Sequence, residues 1–227
     1  MMMSTAEPAP LGLLGGTFDP IHFAHLRLAE EAREALDLAG VRLLPAGQPA
    51  HRDAPHASAN HRLTMARLAA AGNPALEVDD GEVRAAAASY TVPTLERLRA
   101  ELGPARPLVL ILGADAFHGL PGWHRWGELF DLAHVAVANR PGHAPRDMDW
   151  VARLPAELAA ACSARLTEQP AELASSPSGR VIAFAMTPLD ISASHIRALL
   201  ARGASPRYLL PDSVLDYIGL HHLYRTR

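Results

Sequence analysis

The sequence contains no lysine, and all 21 of its basic side chains are arginine. The abundance of alanine and arginine indicates a compositional bias as the origin of this absence. Walker-type phosphate loops, Schiff-base mechanisms and pyridoxal phosphate chemistry each require a lysine, so these three classes are excluded. Any phosphate that the chain binds must be met by arginine, histidine, backbone N–H groups or a metal ion.

Cysteine, excess positive charge and long apolar runs are also scarce. The single cysteine, Cys162, cannot form an internal disulfide, which favours a reducing compartment and predicts a cytoplasmic protein. The net charge of −3 argues against a protein that holds nucleic acid through a general basic field. No apolar run is long enough to span a bilayer, so we expect no membrane partner.

The 227 residues suit one large α/β domain. We expect this domain to extend over residues 11–227, to include a C-terminal helical region, and to follow a disordered tail at residues 1–10. Apolar runs predict buried strands at 11–14, 41–45, 75–78, 108–112, 134–138 and 181–184. Helical spacing of apolar residues predicts helices at 23–38, 60–71, 91–102 and from about residue 192.

This alternation of strands and helices predicts an α/β fold with a doubly wound, mainly parallel, Rossmann-like sheet. In such a sheet ligands bind at the carboxyl ends of the strands, so the loops that follow the strands should hold the site. The stretch 154–178, rich in alanine, proline and serine, is expected to be an insertion with helical pieces instead of a second domain.

The segment Gly15–Leu26 places a glycine turn and two histidines between the first strand and the first helix. Glycine lets the backbone approach a bulky anion, and the N-terminus of the helix offers free N–H groups and the positive end of its dipole. His22 and His25, three residues apart, should lie on one face of the first helical turn and direct two imidazole donors at one anion. The pattern predicts a nucleoside triphosphate site; the alternative is a plain corner with two surface histidines. The residues expected to shape the cradle are Gly15, Gly16, Thr17 and Phe18.

A second signal lies at Asp190–Arg197. Ser192 is a good helix N-cap, and Ser194 and Arg197 would offer a hydroxyl and a guanidinium group from the first turn of the helix. Arginine is suited to forked contacts with phosphate. The segment therefore predicts a second phosphate-binding element, with an ordinary capped helix as the alternative.

The first motif resembles the mark of the nucleotidylyltransferase superfamily, a glycine-rich turn followed by His-x-x-His, usually with glycine before the second histidine (the HxGH type). Ala24 stands at that position here, and alanine is compatible with ordinary helical angles. The second motif, from Ile191 to Arg197, is similar to the Ile-Ser-x-x-x-Ile-Arg element with which adenylyltransferases of this superfamily close over ATP. The resemblance implies that ATP is bound by His22, His25, Ile191, Ser192, Ser194 and Arg197, with His22, His25 and Arg197 as the catalytic residues.

Several intermediate segments narrow the resemblance to the bacterial nicotinate mononucleotide adenylyltransferases, in order and in spacing, from Leu11 to Arg225. These segments are Pro49–Arg52, Ser89–Thr91, Gly113–Asp115, Trp123–Trp126 and Arg140–Gly142. The family resemblance implies transfer of AMP from ATP to nicotinate mononucleotide, which gives deamido-NAD (nicotinate adenine dinucleotide) and pyrophosphate with the help of Mg²⁺.

The resemblance assigns the mononucleotide to Arg52, Thr91, Asp115, Trp123, His124 and Arg140. In the family, the backbone at Thr91 and at the residue after the tryptophan, here His124, meets the nicotinate carboxylate. An indole face such as that of Trp123 suits stacking on a pyridine ring, although a core tryptophan is the alternative. A strand-end carboxylate such as Asp115 could orient a ribose or a metal-bound water, or be structural.

We see no cluster of acidic residues with the spacing of a metal site, so Mg²⁺ is expected to be carried by ATP. ATP and nicotinate mononucleotide are the expected partners, and assembly into a homo-oligomer is left open. Two alternative hypotheses for the function remain open. One is an adenylyltransferase of the same fold acting on nicotinamide mononucleotide or phosphopantetheine, and the other is a noncatalytic nucleotide-binding sensor.

Overall fold

A computed structural model of the chain describes residues 9–49, 54–85, 87–139 and 149–225. The strands are β1 Leu11–Gly16, β2 Gly40–Pro45, β3 Gln48–Pro49, β4 Leu76–Val78, β5 Ala88–Ser89, β6 Leu108–Gly113, β7 His134–Asn139, β8 Leu166–Thr167 and β9 Val181–Ala185. The helices are α1 Phe23–Ala35, α2 Ala59–Ala70, α3 Gly81–Arg84, α4 Thr91–Leu102, α5 Ala114–His118, α6 Leu129–Leu132, α7 Asp149–Ala152, α8 Ala156–Cys162, α9 Ala193–Ala201 and α10 Asp212–Leu220. Short 3₁₀ turns lie at Leu120–Gly122, Trp126–Glu128 and Pro170–Leu173.

Seven strands form one parallel sheet in the order β4-β2-β1-β6-β7-β9-β8. The predicted Rossmann-like architecture is confirmed. The chain builds one half of the sheet outward from β1 to β4, then returns to the other side of β1 with β6. The strand order therefore reverses between β1 and β6, and the crevice at the carboxyl ends of these two strands is where such folds bind ligands.

The central strands are apolar on both faces because helices cover both sides of the sheet. Leu14, Val109 and Ile111 belong to the core cluster packed around α1, α2, α9 and α10. Leu13 and Leu110, their neighbours along the strands, belong to the cluster around α4 and α6 on the opposite face. This double burial explains why continuous apolar runs, instead of alternating ones, identified the strands.

The first helix ends earlier than the sequence predicts. The prediction extended it to Leu38, but α1 ends at Ala35. Asp37 adopts the left-handed conformation at a φ of 52°, which breaks the helix, and the Leu38 N–H donates to the Arg33 carbonyl 3.0 Å away. Leu38 is thereby turned into the core, where it is 5% exposed.

The stretch 154–178 contains the helical pieces that its composition predicts, α8 and the 3₁₀ turn Pro170–Leu173. It also contributes β8, which pairs with β9 at the edge of the sheet. A strand of two residues carries no periodicity, so no local pattern predicted it.

Of the predicted disordered tail, the structure describes residues 9 and 10. Residues 1–8 lie outside the described ranges, whereas Pro10 is buried and its carbonyl accepts a hydrogen bond from the Ala39 N–H at 2.9 Å. None of the helices in the described ranges is long and apolar enough to cross a membrane.

Candidate active site

The glycine turn lies at the carboxyl end of β1, next to the reversal of strand order. Phe18 adopts a φ of 49°, is 2% exposed, and packs its ring over Gly16, where an added Cβ would lie 2.6 Å from the ring. Gly16 is therefore required by the packing of Phe18. Gly15 differs, because an added Cβ there would meet no atom within 4 Å, and its open side is the one that a ligand could approach.

The two histidines are brought together as predicted, and their rings stack. His22 caps α1 and His25 occupies its first turn, with ring centroids 3.7 Å apart and planes inclined by 22°. The backbone N–H of His22 donates to Nδ1 of His25 at 3.3 Å. Because Nδ1 of His25 accepts this bond, the neutral ring carries its hydrogen on Nε2. Phe18 packs edge-on against His25 from the other side, with centroids 5.0 Å apart.

His22 is a buried polar side chain with an unsatisfied atom. It is 5% exposed, and its Nδ1 has no hydrogen-bond partner among the described residues. Burial lowers the pKa of His22 from 6.5 to about 4, so the imidazole is neutral near pH 7. A buried polar atom without a partner typically costs about 1–3 kcal/mol. A ligand that supplied the partner would recover that free energy.

The two sequence motifs meet in the structure although they are far apart in the chain. Ser192 caps α9, its Oγ accepting from the His195 N–H at 3.2 Å and lying 3.1 Å from the exposed Oγ of Ser194. Nη1 of Arg197 donates to the backbone carbonyl of Asp19 at 2.7 Å. This contact holds α9 against the glycine turn. Ile191 packs partly buried against the core beneath it.

Ala24 lies within the first turn of α1 and is not among the residues with positive φ. The backbone at this position therefore takes ordinary helical angles. Nothing in the conformation of α1 requires glycine there.

Arg62 is a site residue that the sequence analysis missed. It is 1% exposed, and its guanidinium donates to four backbone carbonyls: Thr17 at 2.6 Å, Ala46 at 2.5 Å, Gly47 at 2.8 Å and Ala57 at 3.2 Å. Burial lowers the pKa of Arg62, but a guanidinium in a protein keeps its charge. Arg62 thus joins the glycine turn to the loops after β2 and before α2. Its position in the regular pattern of α2 made it indistinguishable from a solvent-facing arginine.

Asp19, inside the first motif, was also not singled out. It is 5% exposed and accepts backbone hydrogen bonds from His56 at 2.8 Å and Ala57 at 3.1 Å. The side chain of His56 is exposed. Its backbone nonetheless helps to fix the turn.

The elements expected to bind the mononucleotide also lie together. Thr91 is the first residue of α4, and the ring of the preceding Tyr90 packs against His124 with centroids 4.7 Å apart. Trp123 is half-buried against the core, and His124 is exposed. Arg125 ties this loop to α4 through Glu96 at 2.7 Å. The pair of backbone segments at Thr91 and His124 is therefore held side by side.

Asp115 lies exposed in the first turn of α5, immediately after β6. Its carboxylate is thus at the same edge of the sheet as the glycine turn, because β6 pairs with β1 in parallel. The remaining two predicted residues, Arg52 and Arg140, lie outside the described residues. In the part of the chain that the structure describes, no group of three or more His, Cys, Asp or Glu side chains could hold a metal ion.

Comparison with known proteins shows which family the chain belongs to. The cytidylyltransferase-like family model matches residues 13–199. A protein of Dechloromonas aromatica named probable nicotinate-nucleotide adenylyltransferase is 57% identical over 217 residues, which cover 96% of this chain and 98% of the relative. One of the same name from Hahella chejuensis is 48% identical, covering 96% and 97%.

Among solved structures, the Plasmodium falciparum nicotinic acid mononucleotide adenylyltransferase complexed with NaAD has a TM-score of 0.69. Its sequence identity is 16%, and the match covers 95% of this chain and 97% of that one, so it supports the fold. The chain belongs to the cytidylyltransferase-like family, and its matched relatives include probable nicotinate-nucleotide adenylyltransferases.

Proposed function

We propose that the protein transfers AMP from ATP to nicotinate mononucleotide, forming nicotinate adenine dinucleotide and pyrophosphate. The observation that carries this proposal is the convergence of His22, His25 and Arg197 at the carboxyl end of β1. The names of relatives at 57% and 48% identity support the choice of substrates.

The proposed reaction needs no protein nucleophile. A phosphate oxygen of the mononucleotide bonds to the α-phosphorus of ATP, the bond from that phosphorus to the bridging oxygen breaks, and pyrophosphate leaves with the electron pair. The site must align two anions and stabilise the negative charge that grows on the leaving oxygens.

The histidines and Arg197 suit that task. Burial depresses the pKa of His22, so its imidazole is neutral near pH 7. It therefore adds no positive charge that would repel Arg197 in the anion site. An anion beside it would raise its pKa again and favour the protonated imidazole, whose charge makes it a stronger donor to the negative charge that develops on pyrophosphate. Arg197, Ser192 and Ser194 at the start of α9 offer guanidinium, hydroxyl and N–H donors from the opposite side.

We propose Mg²⁺ as the accompanying metal, bound chiefly by the phosphates of ATP. The described residues provide no cage of three ligands, which fits a metal that keeps several waters and binds substrate phosphates. When bound, Mg²⁺ would withdraw charge from the phosphate oxygens as a Lewis acid.

For the acceptor end we propose Thr91, Asp115, Trp123 and His124, together with Arg52 and Arg140. Backbone N–H groups at Thr91 and His124 would receive the nicotinate carboxylate, and Trp123 would stack on the pyridine ring. The carboxamide of nicotinamide carries its own NH₂ donors, which would oppose one of these N–H groups. Two rival functions remain to be tested: use of nicotinamide mononucleotide or phosphopantetheine as acceptor, and a noncatalytic sensor.

A turnover assay with ATP and each acceptor, scored by pyrophosphate release, tests the proposal. We expect kcat/KM for nicotinate mononucleotide to exceed that for nicotinamide mononucleotide by at least roughly tenfold, since one mismatched buried polar group costs about 1–3 kcal/mol. Equal kcat/KM values for the two mononucleotides would contradict the proposed acceptor specificity but not the transfer of AMP. ATP binding without pyrophosphate release with any acceptor would indicate the sensor.

A tryptophan pair separates substrate stacking from packing. Trp123→Ala should raise KM for both mononucleotides and leave KM for ATP largely unchanged, because stacking does not read the exocyclic group. Trp126→Ala is the matched control, since Trp126 is also half-buried in the same core cluster. Equal kinetic effects of the two substitutions would contradict a stacking role for Trp123.

We also propose that residues 11–227 act as one domain, in the cytoplasm, without nucleic acid or membrane partners. A homo-oligomer is compatible with this proposal. Sedimentation of the purified chain would measure its assembly.

A further inference from the structure

The carboxylate of Asp19 is the meeting point of four separated chain segments. It lies in the turn that leads to His22, and its two oxygens accept hydrogen bonds from the backbone of His56 and Ala57, in the loop before α2. The hydroxyl of Tyr224, near the end of the described chain, donates to its Oδ1 at 2.7 Å. The backbone carbonyl of the same residue accepts from Arg197 of α9.

Tyr224 supplies a permanent hydrogen-bond donor to this network. Burial and the neighbouring Asp19 carboxylate raise the pKa of the Tyr224 phenol, so it keeps its proton over the whole range of enzyme assays. Its ring packs partly buried against the core cluster that includes Phe18 and Ile21. The hydroxyl therefore has a fixed direction.

Arg197 lies close to both the backbone carbonyl and the carboxylate of Asp19. Nη1 of Arg197 lies 2.7 Å from the Asp19 carbonyl and 3.9 Å from the carboxylate oxygen Oδ2. The carboxylate thus competes for the guanidinium that the proposed reaction directs at phosphate. Other cationic or titratable groups facing Asp19 are Arg62, which donates to backbone carbonyls, and the exposed His56 ring, whose Nδ1 is 3.5 Å from Oδ2.

Each hydrogen bond that Asp19 accepts from Tyr224, His56 and Ala57 spreads its negative charge. With all three in place, the ion pair between the carboxylate and Arg197 stays long, at 3.9 Å. If the Tyr224 hydroxyl is lost, Oδ1 keeps one donor, and the nearby Arg197 guanidinium is the cation that can compensate by moving toward the carboxylate.

We propose that Tyr224 is a positioning residue for adenylyl transfer: its hydroxyl holds the Asp19 carboxylate so that Arg197 stays on the backbone carbonyl and available to the triphosphate. This inference rests on the proposed function. It adds the far C-terminal segment of the chain to the phosphate site.

Tyr224→Phe removes the hydroxyl and keeps the ring. We expect KM for ATP to rise several-fold and kcat/KM for ATP to fall about tenfold, with KM for the mononucleotide unchanged. Tyr217→Phe is the matched control, because it removes a tyrosine hydroxyl that is bonded to Nδ1 of His61 at 2.8 Å in the same C-terminal region. The control should keep wild-type kinetics.

A double-mutant cycle with Arg197→Lys tests whether Tyr224 acts through Arg197. In the Arg197→Lys background, Tyr224→Phe should lower kcat/KM by less than about twofold. An undiminished tenfold loss in that background, or wild-type kinetics in Tyr224→Phe itself, would overturn the proposal. Absence of turnover in the wild type would instead contradict the proposed function.

A second measurement serves if Tyr224→Phe proves unstable at the assay temperature. ATP raises the Tm of any folded protein that binds it, by an amount that grows with the logarithm of the ratio of ATP concentration to Kd. At one fixed ATP concentration, the rise in Tm should be smaller for Tyr224→Phe than for wild type and Tyr217→Phe. An equal rise in all three proteins would contradict the inferred role.

Discussion

Each end of the parallel sheet holds a buried histidine, and the two histidines differ in the hydrogen bonds of their ring nitrogens. His22, beyond the carboxyl end of β1, is 5% exposed and leaves Nδ1 without a partner among the described residues. His134, at the amino end of β7, is fully buried, but its Nε2 lies 2.8 Å from the Ser176 carbonyl and its Nδ1 accepts from the Arg180 N–H at 3.0 Å. Burial lowers the pKa of both.

Arginines show a related contrast. At the amino end, Arg99 donates to the carbonyls of Leu132 at 2.7 Å and Pro177 at 2.5 Å, and also to that of Arg106. At the carboxyl end, Arg62 likewise donates to several backbone carbonyls. Arg197 donates to the backbone carbonyl of Asp19 and stays partly exposed. Burial alone therefore does not distinguish the two ends. The proposed site is distinguished by a polar atom whose hydrogen-bonding capacity is not filled within the described residues.

The largest effect should come from His22→Ala. One donor to a developing charge is typically worth a factor of about 10²–10³ in kcat. We expect kcat to fall by roughly that factor, with a much smaller change in ATP affinity and an intact fold, because Nδ1 of the lost ring has no hydrogen-bond partner among the described residues. Steady-state kinetics and circular dichroism measure the two expectations. A kcat near the wild-type value would show that His22 has no catalytic role.

Arg197→Lys should have the next largest effect. An ammonium cannot reproduce the planar, forked contact of a guanidinium with phosphate, and hydrogen bonds to charged groups are worth about 1.5–3 kcal/mol. We expect kcat/KM for ATP to fall roughly tenfold to hundredfold, with both KM and kcat affected. Arg99→Lys is the comparison at the other end of the sheet, where kinetics per folded molecule should not change. Wild-type kinetics in Arg197→Lys would show that Arg197 is a solvated helix residue without a role in binding ATP.

His134→Ala should reverse the pattern seen with His22. It leaves the Ser176 carbonyl and the Arg180 N–H unpaired and opens a cavity, so the free energy of unfolding should fall by about 2–3 kcal/mol. The kcat of the folded enzyme should be unchanged. Urea unfolding and kinetics on the same preparation provide both numbers. A loss of kcat without a loss of stability would break the contrast between the two ends.

Acid should destabilise the protein by a smaller amount. The folded-state pKa of His22, about 4, lies below its unfolded value of 6.5, so the unfolded chain binds more protons and stability falls as the pH drops below about 6.5. Between pH 7 and pH 5 this residue alone should cost about 1–2 kcal/mol. Urea unfolding at both pH values would measure it. In His22→Ala the loss should be smaller by that amount, and an equal loss would exclude His22 as the source.

The sequence predicted the strands and the helix starts, which follow from local patterns. Buried parallel strands read as apolar runs, and the spacing of His22, His25 and Ser192 identified helix starts next to strands, all of which the structure confirms. The two-residue strand β8 and the early end of α1 at Ala35 were not predicted, because two residues carry no period and the left-handed Asp37 beyond the helix has no distinct sequence pattern.

Long-range pairing accounts for the rest. Arg62 and Tyr224 approach the glycine turn through contacts separated by 45 and 205 residues, and nothing in their own neighbourhoods in the sequence indicates this. The two histidines that define the contrast also looked alike in the sequence. Tertiary structure shows that His134 has partners for both ring nitrogens, while Nδ1 of His22 has none among the described residues.

The most direct test of this account follows both imidazoles by NMR titration, with and without a non-hydrolysable ATP analogue. Spectra of His22→Asn and His134→Asn would assign the two signals among the 12 histidines. We predict that the pKa of His22, about 4 in the free protein, moves upward toward its ordinary value when the analogue binds, and that the pKa of His134 does not move. A His22 pKa unchanged by a bound analogue would contradict the proposal that this buried histidine, whose Nδ1 has no partner among the described residues, contacts the triphosphate.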